Sequence, residues 1–319
     1  MTKWFWRNSP GESAGDVRQN VRVGSVELRN PVMTASGTAG HGDELSAYFD
    51  LSELGAVVVK SLSAEPWDGN PAPRVHETDG GMLNSVGLQN PGVEAWLEHE
   101  LPALRRHGAT VVASIWGFTV EAYEKAASML AGVDGVVAVE VNVSCPNVED
   151  RRRMFAHSCP ATREVIEATA AAGKPRWAKL SPNVTDITEI AAAAKDGGAE
   201  AVTLINTVMG MAIDPETRSY RLGSGAGGGG LSGPAIRPVA VRAVHDVHRA
   251  HPDLPIVGVG GISTAEHAVE LLLAGASAVQ VGTATFRDPK APALVARGLE
   301  QWCRRHRVGA IGDLIGGLQ

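Results

Sequence analysis

Short apolar runs rich in β-branched residues recur along the chain at 32–35, 56–61, 110–115, 136–143, 176–180, 201–206, 256–260 and 278–282. Continuous apolar runs of this length are the mark of strands buried on both faces, as in parallel sheets. Between them lie segments with the helical period, at 91–106, 120–131, 161–172, 186–196, 236–249, 263–274 and 290–305. Thr185-Asp186 and Ser263-Thr264 supply N-caps, and Gly197-Gly198 and Gly275 supply C-terminal stops. Strands alternating with helices predict parallel pairing through right-handed crossovers. Eight such units predict an α/β protein, a (β/α)₈ TIM barrel rather than an open sheet. Residues 21–28 alternate ahead of the first run and predict a short N-terminal β-hairpin closing the barrel's bottom. Residues 1–20, with Pro10-Gly11-Glu12-Ser13-Ala14-Gly15, read as a flexible tail, and residues 21–319 as one barrel domain without linker or repeat.

Composition narrows the function classes. A hydrophobic share of 44% with 20% charged residues suits a soluble protein with a large core. The net charge of −6 argues against nucleic-acid or anionic-membrane binding, which wants a basic face. Three cysteines without paired spacing predict a reducing, cytoplasmic setting and are too few to ligate an iron–sulfur cluster alone. No apolar stretch reaches the ~20 residues that span a bilayer. None of the ten histidines forms an H-E-x-x-H pair, so no metal is expected.

In a barrel the catalytic groups stand at the carboxyl ends of the strands. Those ends are Ser36-Gly37, Lys60-Ser61, Ser114, Asn142, Lys179, Asn206-Thr207, Gly260-Gly261 and Gly282-Thr283. Only the last two end directly in glycine, and loops after strands seven and eight often bind phosphate. Gly260-Gly261-Ile262-Ser263 runs into a helix start, whose N–H groups favour an anion. That phosphate fits FMN or a sugar phosphate. Leu231-Ser232-Gly233-Pro234 offers a further backbone contact, while the rest of 223–233, with seven glycines, reads as flexible. The barrel-mouth lysines Lys60 and Lys179 suit a Schiff base, anion stabilisation, or an ion pair with Glu140.

Asn84-Ser85-Val86-Gly87-Leu88-Gln89-Asn90 lies in a long excursion between strands two and three, expected as an inserted substrate loop. Asn84, Asn142, Asn147 and Asn206 both donate and accept, which suits a planar pyrimidine. Ser144-Cys145-Pro146 follows the fourth run directly, and Cys145 is the expected acid, base or nucleophile. Cys159 competes because it opens a helix, yet lacks the polar cluster, and Cys303 reads as a partly buried helix residue. Arg151-Arg152-Arg153 is a solvated face or an anion-admitting flap.

Together these residues resemble class 1 dihydroorotate dehydrogenase, most closely the class 1B catalytic subunit. The marks run from about Val21 to the end: Ala35-Ser36-Gly37, Lys60-Ser61, Gly69-Asn70-Pro71, 84–90, 142–147, 179–186, 205–210, 231–236 and Gly260-Gly261. The resemblance implies flavin-dependent oxidation of (S)-dihydroorotate to orotate in pyrimidine biosynthesis. It implies FMN held by Ala35, Ser36, Gly37, Lys60, Ser61, Ser114, Asn142, Lys179, Ile205, Gly233, Gly260, Gly261, Gly282 and Thr283. It implies substrate held by Lys60, Asn84, Ser85, Val86, Gly87, Leu88, Asn142, Asn147, Asn206 and Thr207. Cys145 becomes the base that takes the C5 proton as hydride leaves C6 for FMN N5. A homodimer is implied, with an FAD- and iron–sulfur-bearing subunit passing electrons to NAD. The sequence departs from the family pattern at Trp116, where a small residue beside the flavin is usual, and in the charged flap around 149–157. A dihydropyrimidine dehydrogenase-like reductase, a non-catalytic FMN electron-transfer subunit and a Lys179 aldolase are the rival readings.

Overall fold

The structure, a computed structural model, describes residues 16–144, 154–224 and 228–319. The eight apolar runs become Val32–Thr34, Val57–Val58, Val111–Ile115, Val136–Asn142, Arg176–Lys179, Ala201–Leu204, Ile256–Val259 and Ala278–Val281. From the second to the eighth, each pairs in parallel with the next along the chain, and the eighth pairs with the first. A parallel bridge from Met33 to Ala56 joins the first to the second and closes the barrel. This seam is short, and a side chain lengthens it: Thr34 Oγ1 accepts from Val58 N at 2.9 Å and donates to Val58 O at 3.2 Å. The fold is a (β/α)₈ barrel.

Helices cover the barrel where the periodicity places them, with Thr119, Ser158, Asp186 and Thr264 capping their starts. The first unit departs from this. After strand one the chain makes only the 3₁₀ turns Glu44–Ala47 and Leu51–Glu53. The helix expected at 91–106 carries a π turn, Trp96–Glu100, before Leu101–Arg106. Pro102 follows that turn; it has no N–H for the helical ladder and its ring crowds the preceding carbonyl.

The alternating segment at 21–28 forms the expected hairpin, Val21–Val23 against Val26–Leu28, burying Val21, Val23, Val26 and Leu28. The glycine-rich segment departs from the flexible expectation. Gly228–Ser232 is a strand, paired antiparallel with Val208–Met211 on one side and Gly81–Asn84 on the other. Gly81–Asn84 in turn pairs with Val75–Thr78, which completes a four-stranded antiparallel sheet. The excursion between strands two and three is thus partly a hairpin. Glycine is required in that sheet: a Cβ at Gly230 would overlap Thr207 Oγ1, and one at Gly81 would overlap the Ser232 carbonyl. Among the described residues, no helix is long and apolar enough to cross a membrane.

Candidate functional site

A cavity of about 920 Å³ opens between the carboxyl ends of the barrel strands and the antiparallel sheet. Strands one and two bring Ala35, Ser36, Gly37, Lys60 and Ser61 to it, and strands four and five bring Asn142 and Lys179. Strand six leads into Ile205, Asn206 and Thr207, and strands seven and eight into Gly260, Gly261, Gly282 and Thr283. Gly233 and the segment Asn84, Ser85, Val86, Gly87 and Leu88 also line it. Ser114 stands apart. It is fully buried behind the wall, where its hydroxyl meets Ser61 Oγ at 2.9 Å, and Ser61 Oγ meets Ser36 Oγ at 3.1 Å. Cys145, Asn147 and Arg151 to Arg153 lie outside the described residues; Ser144, which precedes them, lines the cavity.

One end of the cavity is built from backbone. Gly233, Gly260 and Gly261 all have left-handed φ, at +100°, +142° and +69°. A Cβ at Gly260 would sit 2.7 Å from Ala240 Cβ, and one at Gly261 2.7 Å from Arg237 Cβ. Only glycine lets the 260–261 loop pass so close to the preceding helix Arg237–Ala250, and backbone N–H groups in such left-handed turns are suited to an anion. Arg237 and His267 tie the two loops together: Arg237 Nη1 donates to His267 Nε2 at 2.6 Å, and His267 Nδ1 lies 3.2 Å from Ser263 Oγ. Opposite, Thr283 Oγ1 donates to Ser232 Oγ at 2.8 Å.

The other end is amide-rich. Asn206 Nδ2 donates to Asn142 Oδ1 at 3.1 Å, and Asn206 Oδ1 accepts from Thr207 N at 2.8 Å. The Tyr123 hydroxyl donates to the Asn142 carbonyl at 2.6 Å, which fixes the end of strand four. Asn84 Nδ2 donates to the Gly230 carbonyl at 3.2 Å, anchoring that side chain to the antiparallel sheet.

The two lysines differ. Lys179 Nζ stands 3.5 Å from Glu140 Oε1, and Glu140 is fully buried in the barrel. Glu140 Oε2 also accepts from Gln280 Nε2 at 2.7 Å and from Thr203 Oγ1 at 3.1 Å. The ion pair expected for a barrel-mouth lysine is therefore present at Lys179. Among the described residues Lys60 has no carboxylate partner; burial pushes its ammonium pKa down, and the Arg74 charge adds to the effect. Cys303, read from the sequence as partly buried, is fully enclosed, and burial with the nearby Glu300 pushes its thiol up to about 11. Cys159 is the first residue of its helix, with Ser158 as cap.

Several lining residues escape the strand-end rule. Trp67 and Phe118 form an aromatic wall, and Asn70, Met82, Met209 and Phe286 also face the cavity. Trp116, suspected from sequence to stand beside a flavin, is buried and does not line the cavity. It packs behind Phe118 and Trp67, with ring centroids at 4.7 and 6.1 Å. The hairpin that carries Met82 does have a sequence signal, the two-residue turn Asp79-Gly80 between Thr78 and Gly81.

A sequence model of dihydroorotate dehydrogenase matches residues 19–302. The chain belongs to the dihydroorotate dehydrogenase family. The catalytic subunit of dihydroorotate dehydrogenase B (NAD(+)) from Geobacter sp. (strain M21) is 48% identical over 301 residues, 94% of this chain and 98% of that protein. The same-named protein of Desulforudis audaxviator (strain MP104C) is 50% identical over 304 residues, 94% of this chain and 97% of that protein. The equivalent subunit of Alkaliphilus oremlandii (strain OhILAs) is 48% identical over 299 residues, 93% of this chain and 98% of that protein. Dihydroorotate dehydrogenases are flavin-dependent, and the cavity here fits a flavin. It joins an anion-ready cluster of glycine N–H groups at one end to amides and two lysines at the other.

Proposed function

We propose that this chain is the catalytic subunit of a dihydroorotate dehydrogenase, oxidising (S)-dihydroorotate to orotate in pyrimidine biosynthesis. The observation that carries the reading is one continuous cavity with a glycine cradle and an amide-and-lysine pocket, in a chain of this family. The flavin is FMN, whose single phosphate suits the N–H groups of Gly233, Gly260, Gly261 and Gly282 with the Thr283 hydroxyl. Ala35, Ser36, Gly37, Ser61 and Lys179 hold the rest, with Ser114 acting through Ser61. Bound FMN supplies a two-electron acceptor for the hydride that leaves C6.

The remaining work belongs to this chain's own side chains. Cys145 takes the C5 proton, so that proton and hydride together leave the C5–C6 double bond of orotate. Lys60 receives the substrate carboxylate: burial lowers its pKa, and a desolvated ammonium gains most from a carboxylate that arrives with the ligand. Asn142, Asn147, Asn206, Thr207 and the 84–88 segment orient the ring. Hydrogen bonds already join Asn142, Asn206 and Thr207, so little order remains to be imposed on binding. The relatives' name, catalytic subunit of a NAD(+)-linked enzyme, supports a second subunit; the FAD and iron–sulfur cluster proposed for it, which pass electrons to NAD, rest on the class 1B resemblance alone. A cytoplasmic homodimer is the form proposed for this subunit.

Cys145→Ser tests the base. An ordinary thiol titrates near ~8.5, so turnover of the unsubstituted enzyme should rise toward alkaline pH. The serine variant should keep its flavin and lose about 10²-fold or more in kcat at neutral pH. Near-normal turnover with an unchanged pH profile would move the base elsewhere.

A further inference from the structure

The 84–88 segment does not hold its shape by itself. Gly87 and Leu88 both adopt left-handed backbone, with φ at +73° and +63°. Glycine takes this conformation freely, whereas a leucine does so only where its surroundings enforce it. Asn70 N donates to the Val86 carbonyl at 3.0 Å and Asn90 Nδ2 to the Leu88 carbonyl at 2.9 Å, and Trp67 holds the peptide between them. Its indole Nε1 donates to the Gly87 carbonyl at 2.9 Å, on the peptide that leads into Leu88. Two backbone hydrogen bonds, Trp67 N to Asn90 O and Asn90 N to Trp67 O, both 2.9 Å, close the same loop from beyond.

Trp67 is itself fixed to the barrel. Its ring meets Phe118 edge-on at 5.2 Å and Trp116 at 6.1 Å, and those two rings meet at 4.7 Å. Trp116 is fully buried and directly follows the third barrel strand, Val111–Ile115. Its backbone N–H donates to Leu62 O at 3.0 Å, and Leu62 N donates to Ser114 O at 2.9 Å. A chain of contacts therefore runs from the barrel wall through Trp116, Phe118 and Trp67 to the Gly87 carbonyl. Trp67 and Phe118 line the cavity along one side of that chain.

We propose that Trp67 is a positioning residue for the substrate: its indole N–H and its edge contacts hold the 84–88 loop in the left-handed form that meets the pyrimidine ring. This rests on the function proposed above. It assigns to an aromatic residue outside the strand ends the task of keeping a substrate loop preorganised. An open loop would have to be ordered by each substrate molecule, so the loss falls on substrate affinity rather than on the chemical step.

The test is Trp67→Phe in the full chain with its flavin, which keeps a ring in the aromatic cluster and removes the N–H. Orotate is titrated against the flavin spectrum, and dihydroorotate turnover is measured alongside. Orotate Kd and dihydroorotate KM should rise about tenfold, equivalent to ~1.4 kcal/mol, with kcat changed less than about threefold and flavin content unchanged. Phe118→Leu, which leaves the N–H in place and removes the edge contacts to Trp67 and Trp116, should give a smaller rise of about threefold. It decides the matter if the first variant does not fold. Wild-type Kd and KM in both variants overturn the proposal, as does lost flavin with unchanged KM in the surviving holoenzyme. No spectral response to orotate in the unsubstituted chain overturns this inference and the proposed function together, whereas unchanged affinity in W67F overturns this one alone.

Discussion

At the scale of single residues, His41 shows how the loop after strand one is tuned. Its pKa lies well below the ordinary histidine value, at about 4, first because burial desolvates the imidazolium and then because Lys60 is near; Glu44 opposes in part. Among the described residues its Nε2, which is buried, has no hydrogen-bond partner. The folded form thus binds fewer protons at His41 than the unfolded chain, whose imidazole titrates near 6.5. The stability linked to this residue is full above pH 6.5 and is lost as pH falls from there through about 4. Allowing for its part exposure, the loss should be on the order of 1–2 kcal/mol. Urea unfolding at pH 7 and pH 4.5 should show this difference, and His41→Gln should shrink it; an equal pH response in both proteins would remove His41 as its source. The residue scale is also where sequence reading divides most clearly. Lys60, Lys179, Asn206 and Gly260 are legible because a barrel sends its chemistry to the strand ends. Trp67 is not, because a lone tryptophan in an irregular segment carries no period and its partners at Gly87 and Phe118 are distant in sequence.

Among elements, the antiparallel sheet over the barrel mouth decides the shape of the site. Its strands draw on two separate parts of the chain, 75–84 and 208–232, so no local pattern reveals it. Gly228-Gly229-Gly230 reads as flexible by composition, because glycine is a poor strand former. The packing explains the choice: Gly229 and Gly230 lie against Asn84 and Thr207, where a side chain has no room. Gly230→Ala should therefore push the strand away from Thr207 and loosen the wall that carries Asn84. A rise in dihydroorotate KM of tenfold or more, with the barrel's unfolding free energy changed by less than about 1 kcal/mol, is the expected result. Steady-state kinetics beside urea unfolding would check it, and unchanged KM would mean the sheet is not part of the substrate pocket. The barrel strands and helices are legible by contrast, since each is a run of local periodicity, and several helices also carry a side-chain cap.

The whole molecule joins a closed eight-stranded barrel to a cavity at its carboxyl end, in a chain of the dihydroorotate dehydrogenase family. The barrel was readable from eight apolar runs, and the glycine-lined end of the cavity from Gly260-Gly261 and Gly282 at the ends of the last two strands. The segment with Cys145 lies outside the described residues, so its role stands on its place after strand four, beside Ser144 at the cavity wall. Chemistry in this account needs no second subunit for the first half-reaction, only the flavin and the substrate. The direct test is to purify the chain, record its visible spectrum and add dihydroorotate without oxygen. The account predicts a yellow protein whose absorption bleaches as one equivalent of orotate forms. A yellow protein that stays yellow would contradict dihydroorotate as the reductant, and a colourless one that takes up no added FMN would contradict the flavin site itself.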